Sequence, residues 1–220
     1  MLAASLFALL LTAPGDLSPP GEPRLFRAET ARGPLYVWEP ASLPRRVVVY
    51  VHGYYDRVDA VLSEHHLAEQ LSASGIDATV IIPEAPISGR ESVFWPSLPA
   101  LIATAEKVLG RPLDRDDLAL VGHSGAVRTL REWTEEPGVR KIVLLDAMYG
   151  DPRAFRLWIE GSAARRLTIV SRATEAAALG FLDSLSRSAR ELRVTHERAR
   201  TSHMGIVTEG EVLPRIFAGL

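Results

Sequence analysis

Five short runs of continuous β-branched and aliphatic residues, with no polar residue alternating through them, constrain this chain most. They are VVVYV (Val47 to Val51), ATVIIP (Ala78 to Pro83), LALV (Leu118 to Val121), KIVLLD (Lys141 to Asp146) and LTIVS (Leu167 to Ser171). A strand read this way has both faces covered, as in a parallel sheet between helices. Helical spacing fills most of the gaps: AVLSEHHLAEQL, SLPALIATAEKVL, AVRTLREW and TEAAALGFLDSLSRSAREL. RLFRAET and PLYVWEP, joined by Ala-Arg-Gly, predict an opening antiparallel hairpin, and LRVTH (Leu192 to His196) predicts a last strand. The fold class that follows is α/β, a mainly parallel sheet with helices on both faces and an antiparallel N-terminal hairpin.

At 220 residues the chain suits one well-buried domain. A net charge of −2 gives no electrostatic attraction to nucleic acid or to an anionic membrane. With no cysteine, disulfides and thiolate zinc sites are excluded. His65 and His66 are adjacent on a helical pattern, so they point apart and make a poor metal pair. The reading therefore has no metal and no cofactor. The run from Leu2 to Ala13 is too short to span a bilayer and has the length of a signal-peptide core, with Ala13 and Gly15 as small residues before a cleavage point. Residues 1–15 are thus expected to be an export signal, 16–23 a Pro/Gly-rich leader, and 24–220 the domain. Export to the periplasm or medium is expected, without a membrane span in the mature protein; the alternative is a buried N-terminal helix in a cytoplasmic protein.

In parallel sheets ligands gather at the carboxyl ends of the strands, and this chain puts polar residues there. LALVGHSGA ends a strand in Gly122-His123-Ser124-Gly125-Ala126, the small-residue context of a sharp turn from strand to helix. Its bland alternative is a helix-capping serine. His52-Gly53 follows one strand and Asp146 another. Aspartate after buried apolar residues is costly without a partner.

On VVVYVHGYYD, LALVGHSGA, KIVLLDAMYG and TSHMGI, in the order Ser, Asp, His, the chain resembles the α/β-hydrolase superfamily, as a small member without a large cap. The resemblance covers nearly everything from Arg24 to Leu220. It implies a serine hydrolase acting on a small-molecule acyl substrate, with Ser124 as nucleophile, His203 as base, Asp146 as the acid that orients the base, and the backbone N–H groups of Gly125 and Tyr54 as oxyanion donors. Tyr55 is the alternative second donor, His196 the alternative base and Glu175 the alternative to Asp146. His123, Trp95, Tyr149 and Tyr55 are candidates for contact with substrate. Phe155 and Trp158 are further aromatics in the loops expected to cover the site. Ala126 departs from the glycine usual at that place. A carboxylic ester is the leading substrate class. An amidase, peptidase or acyltransferase would use the same residues, and a silent binding protein would keep the fold alone. An arginine-rich stretch (Arg187, Arg190, Arg193, Arg198, Arg200) reads either as an anion site or as a solvated face.

Overall fold

The computed structural model describes residues 15–16 and 22–220. Apart from Gly15, the expected signal lies outside the described residues, as does most of the expected leader.

The strands are β1 (Gly15–Asp16), β2 (Arg24–Thr30), β3 (Gly33–Glu39), β4 (Arg46–Val51), β5 (Ala78–Pro83), β6 (Leu118–His123), β7 (Val139–Leu145), β8 (Arg166–Ser171) and β9 (Val194–Arg198). They form one sheet in the order β1-β2-β3-β5-β4-β6-β7-β8-β9. β2 and β3 are the antiparallel hairpin, and β3 also runs antiparallel to β5. From β5 to β9 every neighbouring pair is parallel.

The pleat sorts each continuous apolar strand onto two faces. Val47, Val49 and Val51 point into one core; Val48 and Tyr50 point into the other. The first core is closed by α3 (Leu98–Leu109), α4 (Val127–Glu132), α5 (Arg153–Glu160), α6 (Glu175–Asp183) and α7 (Arg187–Arg193). The second is closed by α1 (Val58–Ser63), α2 (Leu67–Ser74), α8 (Gly205–Thr208) and α9 (Val212–Ala218). The sheet is therefore the middle of three layers, which is why its strands carry no polar alternation.

The structure departs from the sequence reading in three places. The helical run from Ala60 to Leu71 is two helices, because His66 takes a left-handed conformation (φ 52°) as the residue before α2. The run from Thr174 to Leu192 likewise breaks between α6 and α7, where the Ser186 side chain accepts from Ala189 N and caps the second helix. Residues 148–158, expected to be a covering loop, contain the start of α5, and its Phe155 and Trp158 are buried in the core.

From β4 the chain crosses to β5 on one side and then to β6 on the other. The gap between the carboxyl ends of β4 and β6 is thus a topological switch point, the place where such sheets open a crevice.

Candidate active site

β6 stops at His123, and Ser124 turns the chain at φ 52° before a short 3-10 turn over Ser124–Ala126 leads into α4. A serine in the left-handed region costs about 1–3 kcal/mol and persists only where its surroundings enforce it. Here close packing does so. A Cβ on Gly122 would lie 2.7 Å from the Leu130 side chain, and one on Gly125 would lie 2.5 Å from the Tyr54 ring. The helix therefore folds back tightly on the strand, leaving the Ser124 hydroxyl at the sheet's carboxyl edge. Ala126 is accommodated in the core at 2% exposure.

His203 lies in the loop between β9 and α8, and its Nε2 is 3.0 Å from Ser124 Oγ. Its Nδ1 is 2.7 Å from Asp146 Oδ2. With the Nδ1 proton donated to the carboxylate, Nε2 presents its lone pair to the serine hydroxyl.

Asp146, directly after β7, also sits at a positive φ of 46° and is fully buried. Arg172 N, Thr174 N and Thr174 Oγ1 donate to its Oδ1 at 2.8, 2.9 and 2.7 Å, and Ala173 N donates to Oδ2 at 2.9 Å. Burial pushes this carboxyl upward, but the bond from His203 and those from the 172–174 backbone outweigh it. They hold it well below the usual carboxylate range.

His123 packs against His203 with ring centroids 4.6 Å apart, and its Nε2–H donates to the His203 carbonyl at 3.1 Å. Burial, and then the neighbouring His203, push its imidazole down to about 3, so it stays neutral and acts as a fixed support. His52 holds the turn after β4: its Nδ1 is 2.8 Å from Gly53 O, and its Nε2 is 3.1 Å from both Ala85 N and Glu84 Oε1.

A cleft of about 440 Å³ opens beside Ser124, lined by Tyr54, Gly125, Val127, Arg128, Arg131 and Tyr149 among others. Burial, then the charge of Asp146, raise the Tyr149 phenol, while a hydrogen bond with Ser124 opposes them.

The structure thus brings Ser124, His203 and Asp146 into contact and sets Gly125, Tyr54 and Tyr149 around them. Tyr55 is elsewhere: its N–H is committed to Ile87 O at 2.9 Å and its side chain is 92% exposed. Trp95 is a core residue beneath Arg32, outside the cleft lining. His196 Nε2 pairs with Ser171 Oγ at 2.8 Å, and Glu175 pairs with Arg198 at 3.2 Å. Sequence reasoning missed Arg128 and Arg131, three residues apart on α4. The available signal was that the helix beginning at the serine turn must show one face to the crevice.

No family model matches the sequence, and no curated protein is similar to it in sequence. Among solved structures, the fold is similar to a ferulic acid esterase, with a TM-score of 0.65 at 13% identity over 96% of each chain. It is similar to the fluorophosphonate-binding serine hydrolase FphF of Staphylococcus aureus, with a TM-score of 0.62 at 14% identity, again over 96% of each chain. It is also similar to an S-formylglutathione hydrolase of that organism, with a TM-score of 0.59 at 16% identity, covering 92% of this chain and 98% of the other. The architecture is that of the α/β-hydrolase fold.

Proposed function

We propose that this protein is a serine hydrolase that cleaves a carboxylic ester through an acyl-enzyme. The observation that carries this reading is the unbroken chain of contacts Ser124 Oγ–His203 Nε2–His203 Nδ1–Asp146 Oδ2, at 3.0 and 2.7 Å on either side of the imidazole. A serine hydroxyl is a weak nucleophile near neutrality and needs a base within reach. His203 Nε2 takes the hydroxyl proton as Ser124 Oγ bonds to the acyl carbon, and gives it to the departing alkoxide when the ester C–O bond breaks. Water then repeats the sequence on the acyl-enzyme and frees the acid.

Asp146 fixes the imidazole tautomer and stabilises the imidazolium. Its depressed protonation, held by five hydrogen bonds, keeps it anionic throughout the cycle. Gly125 N–H, at the start of the turn into α4, and Tyr54 N–H are the proposed donors to the carbonyl oxygen as it becomes an oxyanion. The commitment of Tyr55 N–H to Ile87 O favours Tyr54 as the second donor. The esterases and serine hydrolases of the same fold are consistent with ester hydrolysis.

The test is labelling with a fluorophosphonate, read by intact mass, alongside hydrolysis of a short p-nitrophenyl ester. One adduct on the wild type, none on Ser124→Ala, and parallel loss of turnover are expected. Labelling or turnover that persists in Ser124→Ala overturns the reading.

A further inference from the structure

α4 carries two arginines on one face, Arg128 and Arg131, and both line the cleft beside Ser124. Neither forms an ion pair among the described residues. In the arginine-rich C-terminal stretch, by contrast, Arg187, Arg190, Arg193 and Arg198 are each within ion-pair distance of a carboxylate.

The two cleft arginines differ in what their donors do. Arg128 acts as a strut: Nη1 donates to Tyr54 Oη and Gly89 O, both at 3.0 Å, and Nη2 donates to Glu91 O at 3.0 Å. Among the described residues Arg131 makes a single long bond, Nη2 to Tyr149 O at 3.3 Å. Its Nε is buried with no partner. Nε is closed off from solvent, so the donors left for an acceptor in the cleft are those of Nη1, which makes no hydrogen bond among the described residues, and of Nη2. Two such N–H groups grip a carboxylate at once.

Among the described residues no carboxylate side chain lines this cleft, and Tyr54, Val127 and Tyr149 give it walls of low polarity that strengthen any charge pair formed within. Arg131 lies on α4, beyond the 3-10 turn that begins at Ser124, and helical side chains lean back toward the N-terminus, so its guanidinium shares the cleft wall with the serine. The leaving group must receive a proton from His203 Nε2, and His203 does not line this cleft. The cleft therefore takes the acyl arm.

We propose that Arg131 binds a carboxylate at the end of the substrate's acyl arm, so that half-esters of short dicarboxylic acids are preferred to neutral esters of equal length. This specificity rests on the ester-hydrolase reading of Ser124.

The test compares kcat/KM for p-nitrophenyl hemiglutarate and p-nitrophenyl valerate. The wild type should favour the anionic ester, and Arg131→Met should lower the anionic-to-neutral ratio by about tenfold or more, chiefly through KM. Arg131→Lys, which keeps the charge without the fork, should recover part of that ratio and shows that the site still folds. A ratio unchanged between wild type and Arg131→Met overturns the proposal while leaving the hydrolase reading intact. If neither ester is turned over, the hydrolase reading fails and binding decides the specificity. Calorimetry of 5-oxohexanoate with Ser124→Ala should then show binding weakened about tenfold or more by adding Arg131→Met, and equal affinities overturn it.

Discussion

Gly125 lies face to face with the Tyr54 ring so closely that a Cβ at 125 would sit 2.5 Å from ring carbons. The two residues proposed as oxyanion donors are therefore one packed unit, each setting where the other's backbone N–H points. Gly125→Ala should push the ring away and cost about 1–3 kcal/mol of stability through overpacking. The larger effect should be on chemistry: displaced donors should lower kcat by roughly 10²–10³-fold while Ser124 and His203 stay in place. Thermal unfolding and ester kinetics on the same preparation check both. Normal kcat with the expected drop in stability would remove Gly125 from the oxyanion assignment.

The hydrogen bonds at Asp146 and Glu175 make opposite predictions for two acids that look alike in the sequence. Asp146→Asn should lower kcat by about 10⁴-fold, because an amide facing Nδ1 no longer holds the imidazole in its productive tautomer. Glu175→Gln should be nearly neutral, since Glu175 pairs with the exposed Arg198. His203→Ala should fall by about 10⁴-fold or more, as far as Ser124→Ala, if the proposed base and nucleophile act as a unit. His196→Ala, which loses a bond to Ser171 on the neighbouring strand, should retain activity. Steady-state kinetics on the five variants would refute the assignment if Glu175→Gln or His196→Ala proved the crippling change.

How much of this was legible beforehand follows from the physics of each segment. β4 to β8 were readable because a strand covered on both faces must be apolar throughout, and few other structures tolerate VVVYV or ATVIIP. The break at His66 was not readable, since a left-handed residue without glycine or proline leaves no local mark and is enforced by packing. α5 was missed because it is short and opens Pro-Arg-Ala in a stretch rich in turn residues. Asp146 stood out because a carboxylate after buried aliphatics demands partners. Its advantage over Glu175 appeared only when the 172–174 backbone was seen to supply them. Arg131 was invisible as a cleft residue, because an arginine on a short helix reads as surface until its face is known.

Buried histidines make the fold sensitive to mild acid. The His123 imidazole is pushed down to about 3 by burial and by His203, whereas in the unfolded chain histidine titrates near 6.5. Between those values the unfolded state binds a proton that the native state refuses, so stability falls as pH drops below about 6.5. His65, also lowered by burial against the opposing charges of Asp56 and Glu64, adds to the same slope. Asp146 acts in a lower window: its depressed carboxyl stabilises the fold above the ordinary carboxylate range and loses that contribution only as pH falls further. His123→Gln keeps an N–H for the His203 carbonyl but cannot titrate. Its Tm, measured by thermal unfolding, should fall less than the wild type's between about pH 6.5 and about pH 5. Equal losses would show that His123 does not carry the slope.

Arg128 ties the residues beside the cleft to one another. Its guanidinium donates to the Tyr54 hydroxyl and to the carbonyls of Gly89 and Glu91, so a single cation fixes the position of the Tyr54 ring and the 88–91 loop. Arg128→Leu fills similar space and removes all of these donors. Charge-assisted bonds of this kind are worth about 1.5–3 kcal/mol each when buried, and less here because the site is only partly covered. The expected result is faster backbone hydrogen exchange confined to residues 87–91 and a kcat reduced about tenfold, as the Tyr54 backbone loosens beside Gly125. Tyr54→Phe removes one acceptor and leaves the loop carbonyls bound, so its exchange pattern should stay close to the wild type's. If Arg128→Leu leaves exchange in 87–91 unchanged, the loop is held by its own bonds, such as Ile87 N to Glu91 Oε2 at 2.6 Å, and Arg128 is not its anchor.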